Sequence, residues 1–199
     1  MSRRFASLVA FLTLVATPAL AHPGHGLAGM GQASAFTAGF LHPFTGLDHL
    51  LAMTAVGLWA GLVQPARSWA AWPAAFLAFM LAGFAIGVGG AAMPAVEGLI
   101  IASVIGLGLA VALRLKLPTL VGAAVIAVFA LAHGYAHGQE LPAGATALDF
   151  AAGFALATLC LHLMGLGLAL AVRRARVETL ARATGLGVAA SGVALIWLG

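Results

Sequence analysis

Two short segments of the chain contain most of the side chains that could bind a metal ion: residues 42–49, HPFTGLDH, and residues 133–140, HGYAHGQE. His133 and His137 are four residues apart, so on a helix both side chains lie on the same face. Imidazole nitrogens and carboxylate oxygens without thiolates suit a borderline divalent ion such as nickel, cobalt or zinc. The candidate metal ligands are His42, Asp48, His49, His133, His137 and Glu140. We therefore expect one shared metal site if the fold brings the two segments together.

The composition indicates what kind of fold must position these residues. Of the 199 residues, 63% are hydrophobic and only 7% are charged, whereas soluble domains have about 25% charged residues. The chain is therefore expected in a lipid bilayer. Its formal net charge of +4 comes from basic residues spread over several short loops, which predicts no nucleic-acid partner. A single cysteine, Cys160, excludes an internal disulfide and a cysteine-rich metal site.

Apolar stretches predict an all-α membrane protein, a bundle of six transmembrane helices within residues 46–199. A helix needs about 20 apolar residues to cross the hydrocarbon core of a bilayer. The predicted spans are residues 46–63, 69–89, 96–115, 118–138, 148–172 and 183–198. Residues 34–41 are apolar but too few, and Pro43 ends the run because proline disfavours helical geometry in the residue before it. Residues 22–45 are therefore expected to form a periplasmic segment with a short re-entrant piece or half-helix.

The first 21 residues have the features of a secretory signal peptide. Arg3 and Arg4 precede the apolar residues 5–16, and Pro18-Ala19-Leu20-Ala21 has the small-x-small form of a cleavage site. Removal of this peptide would leave His22 at the start of the mature chain, outside the cytoplasm.

The basic residues predict the orientation of the bundle, because lysine and arginine accumulate on the cytoplasmic side of a membrane. With residue 46 placed outside, all the basic residues of the mature chain fall inside. These residues are Arg67, Arg114, Lys116, Arg173, Arg174, Arg176 and Arg182. Both termini of the mature chain and both histidine-containing segments are then periplasmic, and the predicted location is the bacterial inner membrane.

Several acidic residues also fit structural roles. Thr45 to Asp48 matches a capping box with Asp48 at the third helical position, and Thr146 to Asp149 matches the same pattern without a histidine nearby. Glu97 opens a helix, where a carboxylate complements the positive end of the helix dipole. Glu140 differs, because it follows a helix C-terminus and would benefit from a nearby cation. We therefore assign Asp149 and Glu97 structural roles and keep Glu140 as a candidate ligand.

His162 lies midway along the fifth predicted span, far from water on either side. A lone buried histidine is more often a hydrogen-bonded packing residue, and a relay farther along an ion path is the alternative. His22 and His25 near the mature terminus could capture metal, although two histidines at a terminus are a weak signal. Met53 is interpreted as apolar filling.

The motifs resemble those of a known family. The pattern His-Pro-x-x-Gly-x-Asp-His at residues 42–49 is followed by LLAM at residues 50–53 and AVG at residues 55–57, and residues 133–140 have the form His-Gly-x-Ala-His-Gly-x-Glu. The chain resembles the HupE/UreJ family of membrane proteins, which is associated with the supply of nickel, and in some members cobalt, to hydrogenase and urease. The resemblance covers essentially the whole mature chain.

The resemblance implies a secondary nickel permease of the bacterial inner membrane rather than an enzyme. It implies no prosthetic group, Ni²⁺ or Co²⁺ as the transported substrate, and an indirect link to nickel-enzyme maturation proteins. The functional residues that it implies are His42, Asp48 and His49 in the first motif, and His133, His137 and Glu140 in the second.

Other functions stay open on the residues alone. A membrane-embedded zinc hydrolase could use the same ligands, but the chain has no His-Glu-x-x-His motif and no assignable general base. Haem ligation would need histidines from opposite sides of the ring, which His133 and His137 on one helical face do not provide. A retinal protein is disfavoured because the only lysine, Lys116, lies at a helix end. The chain has no phosphate-binding Walker loop, so we expect no ATP hydrolysis.

Overall fold

Seven α-helices and two short 3₁₀ turns make up residues 35–198, the part of the chain that the computed structural model describes. The α-helices are α1 (Ala35–Leu41), α2 (Leu47–Val63), α3 (Ala71–Val88), α4 (Val96–Ala112), α5 (Thr119–Gln139), α6 (Ala147–Ala175) and α7 (Glu178–Leu198). The 3₁₀ turns are His42–Phe44 and Ala66–Ser68. No strand occurs within residues 35–198, so the predicted all-α class is confirmed. The predicted signal peptide, His22 and His25 lie outside the described residues.

The lengths of the helices support four or five crossings of a membrane. Four helices are long and apolar enough: Ala66–Val88, Thr119–Gln139, Ala147–Ala175 and Glu178–Trp197. Ala35–Phe44 and Leu47–Val63 could form a fifth span together, although an angle of 80° separates their axes. α4 has 17 residues, and at a rise of about 1.5 Å per residue it is about 26 Å long against a hydrocarbon core of about 30 Å. The sixth span therefore stays a prediction.

Glycines allow the helices to pack with their backbones in contact. α3 packs against α5, and α4 packs against α7. Both α1 and α2 pack against α6. Gly83 and Gly87, four residues apart on α3, lie against the backbone of α5. A Cβ atom on Gly57 would overlap the carbonyl oxygen of His162, and one on Gly134 would overlap that of Met80. The small residues thus hold together the helix pairs that carry both histidine-containing segments.

The two ends of the bundle differ in chemistry. Trp59 on α2 donates a hydrogen bond from Nε1 to the carbonyl of Leu115 at 2.9 Å, and the Arg173 guanidinium on α6 donates one to Gly61 at 2.8 Å. These contacts place the basic residues of the described chain at one end, here called the basic end. The opposite end, where α5 ends and α2 and α6 begin, is here called the histidine end.

Candidate metal centre

The first histidine-containing segment is shaped by the break between α1 and α2. α1 ends at Leu41, as the proline predicts, and the chain continues through the 3₁₀ turn with Pro43 near its start. The hydroxyl of Thr45 donates a hydrogen bond to the carbonyl of His42 at 2.7 Å. The N-cap of α2 is Gly46. The predicted capping box from Thr45 to Asp48 is therefore wrong, because the Thr45 hydroxyl bonds backward instead of capping α2. Asp48 is the second helical residue, not the third.

Asp48 holds the imidazole of His49 instead. Its Oδ1 atom accepts hydrogen bonds from the backbone N–H of His49 at 2.8 Å and from Nδ1 of the same residue at 2.7 Å. Because a carboxylate only accepts hydrogen bonds, the ring proton lies on Nδ1 and the lone pair lies on Nε2. The Nε2 atom is buried and has no hydrogen-bond partner. This is the arrangement in which a carboxylate orients a metal-binding histidine.

The second segment brings two buried imidazoles to the same region from α5. The side chains of His133 and His137 are both fully buried, as their spacing of four residues on one helical face predicts. Neither ring nitrogen of His137 has a hydrogen-bond partner, and Nδ1 of His133 also has none. Buried polar atoms without partners are rare in folded proteins, and ring nitrogens that are free in this way are available as metal ligands.

Glu140 lies at the mouth of this region, one residue beyond the end of α5. Its Oε2 atom accepts a hydrogen bond from Nε2 of His42 at 2.9 Å and lies 3.6 Å from Nδ1 of His137. The ligand atoms of these three residues all lie within 4.8 Å of one another. The side chains of His42 and Glu140 are 32% and 56% exposed, whereas that of His137 is buried. The group is therefore open to solvent on one side.

The charge of Glu140 is stabilised by these neighbours. Partial burial alone would raise the pKa of its carboxyl, but the imidazoles of His137 and His42 outweigh this effect and lower the pKa well below its usual range. Glu140 is therefore an anion at the entrance of the site.

The four imidazoles form a continuous row. Ring centroids are 4.6 Å apart for His42 and His137, 4.3 Å for His137 and His49, and 4.7 Å for His49 and His133. With Asp48 and Glu140, these residues are here called the histidine cluster. The structure thus brings all six sequence-predicted residues together, although they come from a 3₁₀ turn, from α2, and from α5 and the residue that follows it.

Side chains from outside the two motifs also surround the cluster. Ser103 on α4 contacts Nε2 of His133 at 2.8 Å and donates a hydrogen bond to the carbonyl of Ile100 at 2.6 Å. With its proton on that carbonyl, the serine oxygen accepts from His133 Nε2, which leaves the Nδ1 lone pair free. The only signal in the sequence is a serine within an apolar helix. The ring of Phe154 packs edge-on against that of His137, with centroids 4.0 Å apart, and the ring centroids of Phe76 and His133 are 5.8 Å apart.

The acidic residues interpreted as structural lie at helix starts. Glu97 is in the first turn of α4. Thr146 is the N-cap of α6, but its hydroxyl bonds the carboxylate of Asp149 and makes no hydrogen bond to the backbone. The predicted capping box from Thr146 to Asp149 is therefore wrong, because the two side chains contact each other and neither caps the backbone of α6.

Comparison with known proteins supports the family that the motifs indicate. The sequence profile described as "HupE / UreJ protein" matches residues 10–195. Protein HupE of Rhizobium leguminosarum bv. viciae is 41% identical over 193 residues, which cover 97% of this chain and 98% of that protein. No solved structure matches the chain. With its apolar helices, the chain is therefore a helical membrane protein that belongs to the HupE/UreJ family, whose members are generally transporters of nickel or cobalt.

Proposed function

We propose that this chain is a secondary permease that imports Ni²⁺, or Co²⁺, across the bacterial inner membrane to supply the maturation of hydrogenase or urease. The observation that carries the proposal is the row of buried imidazole nitrogens without hydrogen-bond partners. The row begins beside a solvent-exposed carboxylate and continues inward to His133. Such a row suits an ion that moves from one ligand to the next.

Capture takes place at the mouth of the histidine cluster. The anionic Glu140 attracts a hydrated divalent cation, and His42 and His137 supply nitrogen ligands within 4.8 Å of the carboxylate. The exposure of His42 and Glu140 lets the ion approach with its water, whereas the burial of His137 requires that part of this water be lost.

Transfer inward uses the neighbouring rings. The ring centroids of His137 and His49 lie 4.3 Å apart, so an ion can exchange one imidazole for the next without returning to water. Asp48 and Ser103 act as positioning residues, because each fixes which ring nitrogen of its histidine is free. Transport requires binding that is strong enough to remove water and weak enough for release. Neutral imidazoles without thiolates fit this requirement.

The membrane orientation completes the proposal. The histidine end faces the periplasm and the basic end faces the cytoplasm, in agreement with the accumulation of lysine and arginine on the cytoplasmic side. Six helices span the bilayer, with α1 as a half-helix that positions His42, and the signal peptide is removed. The driving force is the gradient of the ion, trapping of nickel in the cytoplasm, or coupling to protons.

The test is uptake of radioactive nickel by cells that express the full chain, with excess cobalt or zinc as competitors. The variants are His49→Ala and Glu140→Gln, compared at equal abundance in the membrane. Asp149→Asn is the matched control, because Asp149 is also an exposed carboxylate at a helix end but belongs to a contact with Thr146. We expect both cluster variants to abolish uptake and the control to retain it.

Two results would overturn the proposal. One is uptake by the unmodified chain that is no higher than in cells without it. The other is unchanged uptake in both cluster variants. Strong competition by cobalt, and weak competition by zinc, would support the proposed choice of substrate.

A further inference from the structure

We infer that a second metal-binding station lies deeper in the bundle, formed by His162, Met53 and Met80 around Thr158. This inference rests on the proposed function, because the station receives the ion from the histidine cluster. The station differs from the cluster in its chemistry, since thioether sulfurs replace the carboxylates.

His162 presents an unused nitrogen in the middle of the bundle. It lies near the centre of α6 and is 1% exposed. Its Nδ1 atom donates a hydrogen bond to the carbonyl of Thr158 at 2.6 Å, so the lone pair lies on Nε2. That Nε2 atom is buried and has no partner. An ionisable residue at this depth indicates a functional site by default, and packing explains its shape but not its unpaired nitrogen.

Two sulfur atoms meet at the same turn of α6. The hydroxyl oxygen of Thr158 lies 3.3 Å from Sδ of Met53 and 3.5 Å from Sδ of Met80, and it also lies 2.9 Å from the carbonyl of Phe154. A hydroxyl has one proton for these three acceptors, and the carbonyl is the strongest of them. Both sulfurs therefore keep their lone pairs, and both methionine side chains are fully buried.

The station continues the row of imidazoles. Phe154, which contacts His137, is one helical turn before Thr158, and His162 is one turn after it. The eight residues from Phe154 to His162 correspond to about 12 Å along the helix. The ring of Phe76 contacts both the histidine cluster and the station, with its centroid 5.8 Å from that of His133 and 5.1 Å from that of His162.

The ligand set determines which ions the station holds. One imidazole, two thioethers and a hydroxyl are all neutral, and they suit late transition-metal ions better than Mg²⁺ or Ca²⁺, which require oxygen ligands. Without an anion, the station binds a divalent cation more weakly than the mouth with Glu140. Such an order of affinities favours onward release toward the basic end.

The test uses the purified full chain, dialysed to equilibrium against increasing nickel. X-ray absorption at the nickel edge detects sulfur ligands after the dialysate spectrum is subtracted. The variant is Met53→Leu with Met80→Leu, because leucine has nearly the volume of methionine and disturbs packing little. Met164→Leu is the control, since that methionine lies on α6 but is 49% exposed. His162→Phe is a second variant, which keeps a flat ring but removes the nitrogens.

We expect the unmodified chain and the control to bind a second, weaker equivalent of nickel with sulfur among its ligands. The double methionine variant should lose the sulfur signal, and the His162→Phe variant should lose the second equivalent of nickel. In both variants uptake should fall about tenfold or more, as is usual when groups around a metal site are removed. Nickel binding and uptake without any sulfur signal in the unmodified chain would overturn the station and leave the permease standing. Unchanged stoichiometry and uptake in both variants would also overturn it. No nickel binding or uptake by the unmodified chain would overturn the permease as well.

Discussion

The pairing of Asp48 with His49 is the clearest case of one residue setting the chemistry of another. The hydrogen bond at 2.7 Å fixes the ring proton on Nδ1 and leaves Nε2 free in a buried position. In the proposed site, Asp48 therefore acts by orienting the ring of His49. The motif predicts that both residues belong to the site, but these roles depend on side-chain rotamers, which a sequence pattern does not encode.

Replacement of Asp48 separates orientation from direct ligation. In Asp48→Ala the ring of His49 loses its partner, and nickel affinity should fall about 10- to 100-fold, the usual effect of removing an outer-shell partner. Asp48→Asn should lose less, because the amide oxygen can still accept a hydrogen bond from Nδ1. Equilibrium dialysis of the purified chain measures both affinities. Equal losses in the two variants would contradict the positioning role and favour direct ligation by the carboxylate.

Acid should weaken the site through its imidazoles rather than through Glu140. The pKa of Glu140 is lowered by His137 and His42, so its charge persists as the pH falls through the weakly acid range. An imidazole has an ordinary pKa of about 6.5 and binds metal only when it is deprotonated. Of the imidazoles at the mouth, the partly exposed ring of His42 is in contact with solvent, whereas that of His137 is buried.

Nickel binding to the purified chain should therefore decrease as the external pH falls below about 6. The His42→Asn variant should bind less nickel at neutral pH, because it removes a nitrogen ligand from the mouth. Titration of bound nickel between pH of about 7.5 and 5.5 measures the decrease in the unmodified chain, and the binding at pH of about 7.5 measures the effect of the variant. Binding that is constant over this range in the unmodified chain would argue against imidazole ligation at the mouth.

At the scale of elements, glycine contacts set the distances between the helices that carry the ligands. A Cβ atom on Gly57 would overlap the carbonyl oxygen of His162, so Gly57→Ala must push α2 away from α6. We expect a destabilisation of about 1–3 kcal/mol, the usual cost of overpacking. Gly167→Ala is the control, because Gly167 lies within α6 but has no neighbouring atom within 4 Å. Thermal unfolding of both purified variants measures the difference, and equal melting temperatures would refute the close contact.

The sequence predicted the helices well where apolar stretches are long and less well at their ends. α7 begins at Glu178, although the predicted span begins at residue 183, because polar residues in the first turn hide the helix from a hydropathy pattern. Glu178 pairs with Arg114 at 2.9 Å, which anchors that turn to the end of α4. α4 ends at Ala112, earlier than predicted, because Arg114 has a left-handed backbone with a φ of 49°. Neither the ion pair nor the backbone angle is visible in the pattern.

At the scale of the whole molecule, the sequence predicts that the two motifs meet, but it does not predict which side chains come into contact inside the bundle. The motifs meet because both occur where predicted spans end on the same side, which follows from counting crossings. The sequence predicts that Met53 is apolar filling, whereas the role proposed for its sulfur depends on Thr158 and Met80, which come from other helices. Contacts between helices of this kind have no signature in a single sequence.

The separation of charge along the bundle predicts its orientation in the cell. Basic residues of the described chain lie at the basic end and the histidine cluster lies at the other, so the segment between α5 and α6 should face the periplasm. Cys160→Ala provides a cysteine-free background. Ala143→Cys then places a single thiol at the histidine end, and Ala66→Cys places one at the basic end; both alanines are exposed.

A thiol reagent that does not cross membranes should label the Ala143→Cys variant in intact spheroplasts and the Ala66→Cys variant only after lysis. The reason is that the two positions lie on opposite sides of a bilayer if lysine and arginine accumulate in the cytoplasm. Equal labelling of both variants after lysis controls for their reactivity. Labelling of the Ala66→Cys variant in intact spheroplasts, without labelling of the Ala143→Cys variant, would show that the bundle has the opposite orientation. The histidine cluster would then face the cytoplasm, and the same site would fit export or release of the metal rather than its capture.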